Sequence, residues 1–458
     1  MSAGTAPLSP LIPAVHPTRP AKLPAVAERT LGNGLRVVVV RQQTVPLVEV
    51  RLRVPFSAPG GDRGRVHDAR AALLAETLLS GTAARDAVTL AQEVQALGGS
   101  LGAGVDADRL SLGGSALASS LRPLLDLVAD VVTGASYPSD EVAGERDRLV
   151  SELAIARTQP AVIAGVALAG RMFGAHPYGR ELPESAALAA VTPAQLRSLH
   201  TARVGPAGAL LVIVGDVRPA AALDAAEAAL SSWSSMAKES ALQRVPTPHP
   251  AGAALVDRPG SVQTNIRLGG LGLPRSDAAS PALALANLVY GGYFSSRLIA
   301  NVRERHGYSY TPRSGIEHRA GASLVTVGVD VQTGVTAPAL LETQYELGRM
   351  ATTEVAQGEL DAARSYAIGT LALSTATQAG LASTLAALLV AGLDITYLRE
   401  QPKRLAAVTT ADVLEVSARH LAPHRLVTVL VGDAAQVRGP LDALGVVEVL
   451  DAQSDGAP

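Results

Sequence analysis

The stretch LLVIVGD (210–216) decides the fold, because a close copy of it, VTVLVGD (427–433), returns later in the chain. Each copy is a short run of β-branched and apolar residues closed by Gly-Asp, which predicts a buried strand followed by a turn. Other features recur at the same spacing of 217 residues: Val191-Thr192 with Val408-Thr409, Pro206 with Pro423, and Gly215-Asp216 with Gly432-Asp433. One offset shared by helix, loop and strand indicates a duplicated unit.

The duplication sets the predicted fold class, which is α+β. We expect two homologous α/β domains, each an antiparallel sheet with helices packed on it. In the first, Leu35–Val40 and Val48–Val54 read as strands, while Ala69–Leu79 and Thr89–Leu97 read as helices, each followed by glycine. The predicted boundaries are 1–27 for a disordered Ala/Pro-rich arm, 28–233 and 251–450 for the two domains, 234–250 for a linker, and 451–458 for a tail.

Composition narrows the classes of function. The chain has 458 residues, of which 48% are hydrophobic and 17% charged, as expected of a folded protein with sizeable cores. A net charge of −2 argues against a nucleic-acid or anionic-membrane partner held by bulk charge. The chain contains no cysteine, which excludes disulfides, thiolate catalysis and Cys-bound zinc.

Two stretches bear on localisation. Residues 1–27 hold six prolines and no continuous apolar run after a basic start, so no signal peptide is predicted. The stretch from Ser365 to Leu393 carries no charge and is long enough to span a membrane, but polar residues and Gly380 interrupt its middle. We therefore predict two helices of a soluble core there, and a cytoplasmic protein.

The stretch SSRLIANVRERHGYSY (295–310) carries the candidate site. Leu298, Ile299 and Val302 stand at helical spacing, so a short amphipathic helix is expected, stopped by Gly307 and followed by an extended segment, Tyr308–Tyr310. Such a unit can hold Arg303 and Tyr310 at a fixed geometry. Arg offers a permanent cation with a planar donor fork, and Tyr offers a phenol donor, so together they suit a peptide carbonyl or a developing oxyanion.

Gly291-Gly292, Ser295-Ser296-Arg297-Leu298, an Arg and then a Tyr seven residues later resemble the second-half signature of the pitrilysin-like (insulinase-like, inverzincin) metallopeptidases. The resemblance covers about residues 28–450. It implies two α/β domains of one fold, and it implies that Arg303 and Tyr310 reach across to an active site and hold the substrate. Arg297 is a further substrate-binding candidate by position, although it also suits a structural tie to its own domain.

The zinc-binding motif of that family is not present in this sequence. The family binds zinc through H-x-x-E-H on a helix and a distant Glu, with the motif Glu as the base. The equivalent helix precedes Gly81 and reads Ala72-Leu-Leu-Ala75-Glu76, so Ala72 and Glu76 replace the two His ligands and Ala75 replaces the base. Glu152 stands where the third ligand would be. The degenerate motif predicts that this chain binds no metal and no cofactor.

No other histidines rescue the site. Only His420 and His424 stand at H-x-x-x-H spacing, and Pro423 lies between them, so a regular helix cannot present both. By the repeat they fall in a helix-to-strand connection. The remaining histidines are isolated in sequence and are interpreted as surface or structural residues.

An Arg/Tyr pair without zinc resembles one subunit of the family's two-subunit peptidases. The resemblance implies a homologous partner with an H-x-x-E-H motif that holds the zinc, a closed chamber, and an unfolded peptide as substrate, bound as an added strand. Tyr310 would donate to the oxyanion and Arg303 would hold a carbonyl. Some subunits of this kind carry a long Gly-rich loop, whereas this chain has only Gly291-Gly292-Tyr293.

Two other functions stay open. The chain could be a purely structural subunit, like the family's respiratory-complex core proteins, or a peptide-binding homodimer without chemistry. Retention of both Arg303 and Tyr310 favours the peptidase subunit over these alternatives.

Overall fold

A computed structural model describes residues 24–235, 242–445 and 447–451 of the chain. Most of the predicted arm (1–27) and tail (451–458) lies outside these residues, as does the middle of the predicted linker, 236–241. The remaining linker residues, 234–235 and 242–250, form no helix or strand. The domain boundaries 28–233 and 251–450 stay predictions.

The first half of the described chain folds into one six-stranded sheet and eight helices. Its strands are β1 (Val26–Thr30), β2 (Arg36–Arg41), β3 (Leu47–Pro55), β4 (Ser100–Val105), β5 (Arg109–Leu117) and β6 (Leu210–Gly215). Its helices are α1 (Gly61–Thr77), α2 (Ala87–Ala96), α3 (Leu121–Gly134), α4 (Ser139–Ala156), α5 (Pro160–Phe173), α6 (Ser185–Ala189), α7 (Pro193–Arg203) and α8 (Pro219–Leu230).

The second half has a sheet of the same size. Its strands are β7 (Ala253–Asp257), β8 (Gln263–Leu271), β9 (Arg313–His318), β10 (Ser323–Gln332), β11 (Val427–Gly432) and β12 (Val447–Asp451). Its α-helices are α9 (Ser280–Asn287), α10 (Thr336–Thr352), α11 (Gln357–Ser374), α12 (Gln378–Val390), α13 (Thr396–Ala407), α14 (Thr410–His420) and α15 (Ala434–Asp442). Two π-helical segments, Leu288–Gly292 and Ile299–Arg305, lie between α9 and β9.

The two sheets confirm the duplication. Their strand orders are β1-β2-β6-β3-β5-β4 and β12-β7-β11-β8-β10-β9. The repeated stretches form β6 and β11, which hold the third position in their sheets, each parallel to one neighbour and antiparallel to the other. The sheets are therefore mixed rather than purely antiparallel. The halves differ at one edge, where β1 pairs antiparallel to β2 but β12 pairs parallel to β7.

One helix of each half packs on the sheet of the other half. One face of each sheet packs on its own helices to form the main cores. The opposite face of the second sheet is covered by α5, whose Leu168 and Met172 pack among Val427, Val429 and Val431. The opposite face of the first sheet is covered by α12 through Leu385 and Leu389. These two leucine/methionine pairs are again 217 residues apart, so the exchange of helices repeats with the rest of the unit.

A buried contact near the ends of both sheets also joins the halves. Asp108, in the turn between β4 and β5, accepts hydrogen bonds from the Tyr178 hydroxyl (2.9 Å) and from the backbone N–H of Ala320 (2.9 Å). The same hydroxyl accepts from Gly321 N–H at 2.8 Å. Burial raises the pKa of the Asp108 carboxyl. This contact fixes the turn between β9 and β10 against the first half.

Three local predictions need correction. Helix α1 begins at Gly61, eight residues before the predicted start, because its first turns are polar and show no apolar period. The segment Tyr308–Tyr310 is not a strand, since β9 begins only at Arg313. The helix before it is π-helical over Ile299–Arg305, which the apolar spacing does not distinguish from an α-helix.

The uncharged stretch from Ser365 to Leu393 forms the end of α11 and all of α12, as the interrupting polar residues predict. In the described part of the chain, no single helix is long and apolar enough to cross a membrane. Two pairs of consecutive helices are together long and apolar enough, α4 with α5 and α11 with α12. The helices of these pairs meet at bends of 91° and 109°.

Candidate functional site

The segment that carries Arg303 is anchored by its inner face. Leu298 and Val302 are fully buried in the core of the second half. The side-chain amide of Asn301 donates to Glu342 and to Glu346, both at 2.9 Å. These contacts hold the π-helix against α10 and leave its other face toward solvent.

Gly307 ends this helix with a positive φ of 65°, a conformation that favours glycine. The N–H of Gly307 donates to Arg303 C=O at 3.0 Å, and the N–H of Tyr308 donates to Val302 C=O at 2.9 Å. The chain therefore turns back beside Arg303. That turn is what brings Tyr310 next to it.

The guanidinium of Arg303 lies close to two exposed aromatic rings. Its guanidinium carbon is 4.8 Å from the centre of the Tyr310 ring and 5.1 Å from that of Phe294. Both distances are within the range of a cation–π interaction. The rings are 78% and 67% exposed. Arg303 also pairs with its neighbour Glu304 at 3.1 Å, and within the described residues the Tyr310 hydroxyl makes no hydrogen bond. The predicted pair is thus assembled at an open surface.

Arg297 has a different environment. It forms two hydrogen bonds of 2.7 Å to the carboxylate of Glu359, at the start of α11, and its side chain is only 9% exposed. The hydrogen bond to Glu359 raises the pKa of Arg297, and the same bond holds the pKa of Glu359 below its ordinary value. A guanidinium bound in this bidentate way ties the Ser295–Arg297 turn to α11 of its own half.

The residues of the degenerate zinc motif lie on α1 and α4. Ala75 is buried, Ala72 half-buried, and Glu76 exposed. Arg148, on α4, reaches Glu76 at 3.0 Å and also pairs with Glu145 and Glu152. A guanidinium therefore bridges the two carboxylates at the predicted second and third ligand positions. The hydrogen bonds with Glu145 and Glu152 raise the pKa of Arg148.

Among the described residues, no group of three or more His, Asp or Glu side chains could hold a metal ion. His420 ends α14 and bonds the backbone C=O of Leu271 at 3.1 Å, while His424 lies beyond it in a short 3₁₀ turn. The two are not presented by one helix. The absence of a metal from the working protein stays a prediction.

Two residues near the predicted sites, Phe294 and Arg148, were not predicted from the sequence. Phe294 directly follows Gly291-Gly292-Tyr293 and is one of only three Phe in the chain, so an aromatic residue inside the candidate motif was the available signal. Arg148 stands three residues after Glu145 and four before Glu152. That is the spacing of ion pairs on one helix face, and it marks Arg148 as their common partner.

These features define a class: a duplicated α/β protein that presents an exposed Arg–Tyr pair, with alanines and a glutamate at the positions where a zinc motif was predicted to be degenerate. Comparisons with known proteins agree with it. The family model described as the peptidase M16 inactive domain matches residues 190–366, which include Arg303 and Tyr310.

An uncharacterized zinc protease of Mycobacterium tuberculosis is 30% identical over 320 residues, which cover 69% of this chain and 72% of that protein. One of Mycobacterium leprae is 29% identical over 310 residues, covering 67% and 69%. The chain belongs to the M16 family of peptidases, the pitrilysin-like proteins that its second-half motif resembles.

Solved structures establish the same fold. A crystal structure of a peptidase M16 inactive domain from Pseudomonas fluorescens superposes with a TM-score of 0.80 at 24% identity, covering 89% of this chain and 98% of that one. A protease from Helicobacter pylori superposes with a TM-score of 0.81 at 19% identity, covering 90% and 100%.

Proposed function

We propose that this chain is the subunit without metal of a two-subunit zinc endopeptidase that cleaves unfolded peptides in the cytoplasm. In this proposal a homologous partner with an H-x-x-E-H motif holds the zinc. This chain supplies Arg303 and Tyr310 to the partner's site and does not cleave peptides alone.

The observation that carries the proposal is the open Arg303–Tyr310 pair. A tyrosine ring that is 78% exposed contributes little to a core, and its hydroxyl makes no hydrogen bond to any described residue. The side chain is nevertheless held against Arg303 at 4.8 Å. A donor that is held in place and has no partner among the described residues is suited to a group that arrives from outside.

The chemistry follows from the two side chains. When a peptide bond is attacked by water, its carbonyl oxygen develops negative charge, and an O–H donor aimed at that position lowers the barrier. Tyr310 is the donor in this proposal. Arg303 has five N–H donors and one neighbouring carboxylate, so it can bind a backbone carbonyl of the substrate as well. The partner's zinc supplies the activated water.

The first half supports the division of labour. The methyl groups of Ala72 and Ala75 can neither bind a metal nor move a proton. Glu76 and Glu152 already share Arg148. The relatives named zinc proteases place the chain among peptidases, and the part matched by the M16 inactive-domain model contains both Arg303 and Tyr310.

The test is reconstitution. The purified chain and an H-x-x-E-H relative encoded in the same genome are assayed separately and mixed, on an unstructured fluorogenic peptide, with assembly followed by size-exclusion chromatography. We expect cleavage only in the mixture. Arg303→Ala should raise the Michaelis constant and leave assembly intact, because it removes a contact to the bound peptide. Arg305→Ala, an exposed arginine of the same π-helix, is the matched control.

A mixture that assembles but is equally active with wild-type chain and with Arg303→Ala would favour the purely structural subunit. Cleavage by this chain alone, after passage over a chelator, would contradict the division of labour itself.

A further inference from the structure

A cavity of about 240 Å³ lies on the face of the second sheet that α5 covers in part. Its floor is formed by β8, β9 and β10, and its apolar wall by residues of α5 that include Leu168 and Met172. The cavity is separate from the Arg303–Tyr310 pair and contains none of those side chains. It is too small for a drug-sized molecule and fits about one large amino-acid side chain.

Strand register divides the floor into rows. In the first row, Arg313 on β9 and Arg267 on β8 flank Gly328 on β10. A Cβ placed on Gly328 would come within 3.5 Å of the Arg267 guanidinium, so Arg267 lies across the glycine. The first half repeats this detail, with Arg51 of β3 lying across Gly113 of β5.

The second row is made of Gly315, Thr326 and Gly269. Above Gly269 the space is taken by α5, since a Cβ there would lie 2.7 Å from the Met172 sulfur. Above Gly315 the space is open, because a Cβ there would meet only the Thr326 hydroxyl, at 3.9 Å. The second row therefore leaves room for an apolar side chain beside Met172 and Leu168.

Of the three arginines that line the cavity, two form ion pairs with described residues. Arg319 pairs with Glu317 at 2.7 Å and with Glu181 at 3.4 Å, beyond the second row. Arg267 pairs with Asp330 at 2.6 Å. The remaining cation, Arg313, is exposed and forms no ion pair with any described residue. Arg313 therefore favours an anionic group at the first row, whereas Glu317 and Glu181 oppose one beyond the second row.

Strand β9 is also the edge of its sheet. Within the described residues it pairs only with β10, so the N–H and C=O groups on its outer side are available to an added strand. A peptide lying there directs alternate side chains to the face that holds Arg313, Gly315 and Glu317. That face is the mouth of the cavity.

We propose that the cavity binds the C-terminal residue of a peptide that ends in a large apolar amino acid. Its α-carboxylate lies at the first row, beside Arg313 and against the Arg267 guanidinium that crosses Gly328, and its side chain enters the space over Gly315. The rows are about 7 Å apart, two residues along a strand, which is close to the distance from a carboxylate to the end of a phenylalanine side chain. The preceding residues pair with β9. This proposal does not rest on the proposed peptidase role, because binding requires this chain alone.

The test uses the full-length chain and the peptide Gly-Ser-Gly-Ser-Gly-Phe, labelled with fluorescein at its N-terminus, in titrations followed by anisotropy. The free acid should bind at least about tenfold more tightly than the C-terminal amide, since hydrogen bonds to a charged group are lost in the amide. Arg313→Gln should weaken binding of the acid by a similar factor and leave the amide unaffected. Gly315→Val should abolish binding of both, because it fills the cavity without changing any charge.

Arg425→Gln, an exposed arginine elsewhere in the second half, is the matched control and should change nothing. Circular dichroism and the melting temperature show whether each variant is folded. Equal binding of acid and amide, no binding up to millimolar peptide, or no effect of Arg313→Gln would overturn the site. N-acetylphenylalanine that binds as tightly as the hexapeptide would overturn the strand addition to β9.

Discussion

Arg148 and Arg303 are both surface arginines beside residues that the sequence singles out, but their surroundings differ. Arg148 pairs with three carboxylates, each through a different nitrogen of its guanidinium. Among the described residues, Arg303 has one neighbouring carboxylate and two exposed aromatic rings. The comparison separates an arginine that completes a structure from one whose donors are available to a ligand. The predictions below test this contrast, from the largest effect to the smallest.

The largest effect concerns metal. The wild-type chain should contain no stoichiometric zinc by elemental analysis. The triple variant Ala72→His, Glu76→His, Arg148→Met should bind about one zinc per chain, because it restores two His ligands beside Glu152 and removes the competing cation. Ala72→His alone is the control and should bind none. Zinc in the wild-type chain, lost on Glu152→Ala, would show that the motif is not degenerate.

A second effect concerns stability. Arg297→Met should lower the free energy of unfolding by about 2 kcal/mol, because it leaves Glu359 without its bidentate partner. Arg303→Met should change it by less than about 0.5 kcal/mol, since the exposed rings and Glu304 lose little. Urea unfolding of the two variants under one set of conditions makes the comparison. Equal losses in the free energy of unfolding would show that Arg303 stabilises the fold as much as Arg297 does.

The same pair predicts a pH dependence. The pKa of Glu359 is lowered in the folded chain from an ordinary value of 4.5. Its stabilising contribution is therefore complete above pH 4.5 and is lost as the pH falls through the folded pKa. The stability difference between wild type and Arg297→Met should accordingly shrink below pH 4.5. A difference that stays constant down to pH 3 would exclude Glu359 as the group responsible.

The smallest effect is expected at Arg148. Arg148→Met should cost only about 0.5–1 kcal/mol, because Arg148 and its partners lie at the surface, where ion pairs are weak. The loss should diminish further at high salt. A loss of several kcal/mol, measured by urea unfolding at low salt, would mean that this network supports the packing of α1 on α4.

The repeated pattern in the sequence correctly predicted the two equivalent central strands. The 217-residue offset located β6 and β11 correctly, because strands of equal burial keep equal patterns. The offset did not predict that α5 and α12 each pack on the sheet of the other half, because an apolar helix face can pack on either sheet. The turn at Gly307 was predictable from glycine, but the π-helix before it was not. Contacts such as Arg148 with Glu76 depend on tertiary packing between helices 72 residues apart.

Within the candidate site, the residue types predicted the chemistry and the structure supplied the proximity. Arg303 and Tyr310 were expected to lie together, and they do. Phe294 adds a second exposed ring against Arg303, and nothing in the apolar spacing of Leu298–Val302 points to it.

The central claim is that Tyr310 serves a substrate and not its own fold. The most direct measurement is the turnover number of the reconstituted pair with Tyr310→Phe, which removes only the hydroxyl. The control is Tyr345→Phe, an exposed tyrosine near Arg349 on α10. We predict a loss of about 100- to 1,000-fold for Tyr310→Phe and none for Tyr345→Phe, with assembly and melting temperature unchanged in both. Full turnover by an assembled Tyr310→Phe pair would contradict the account.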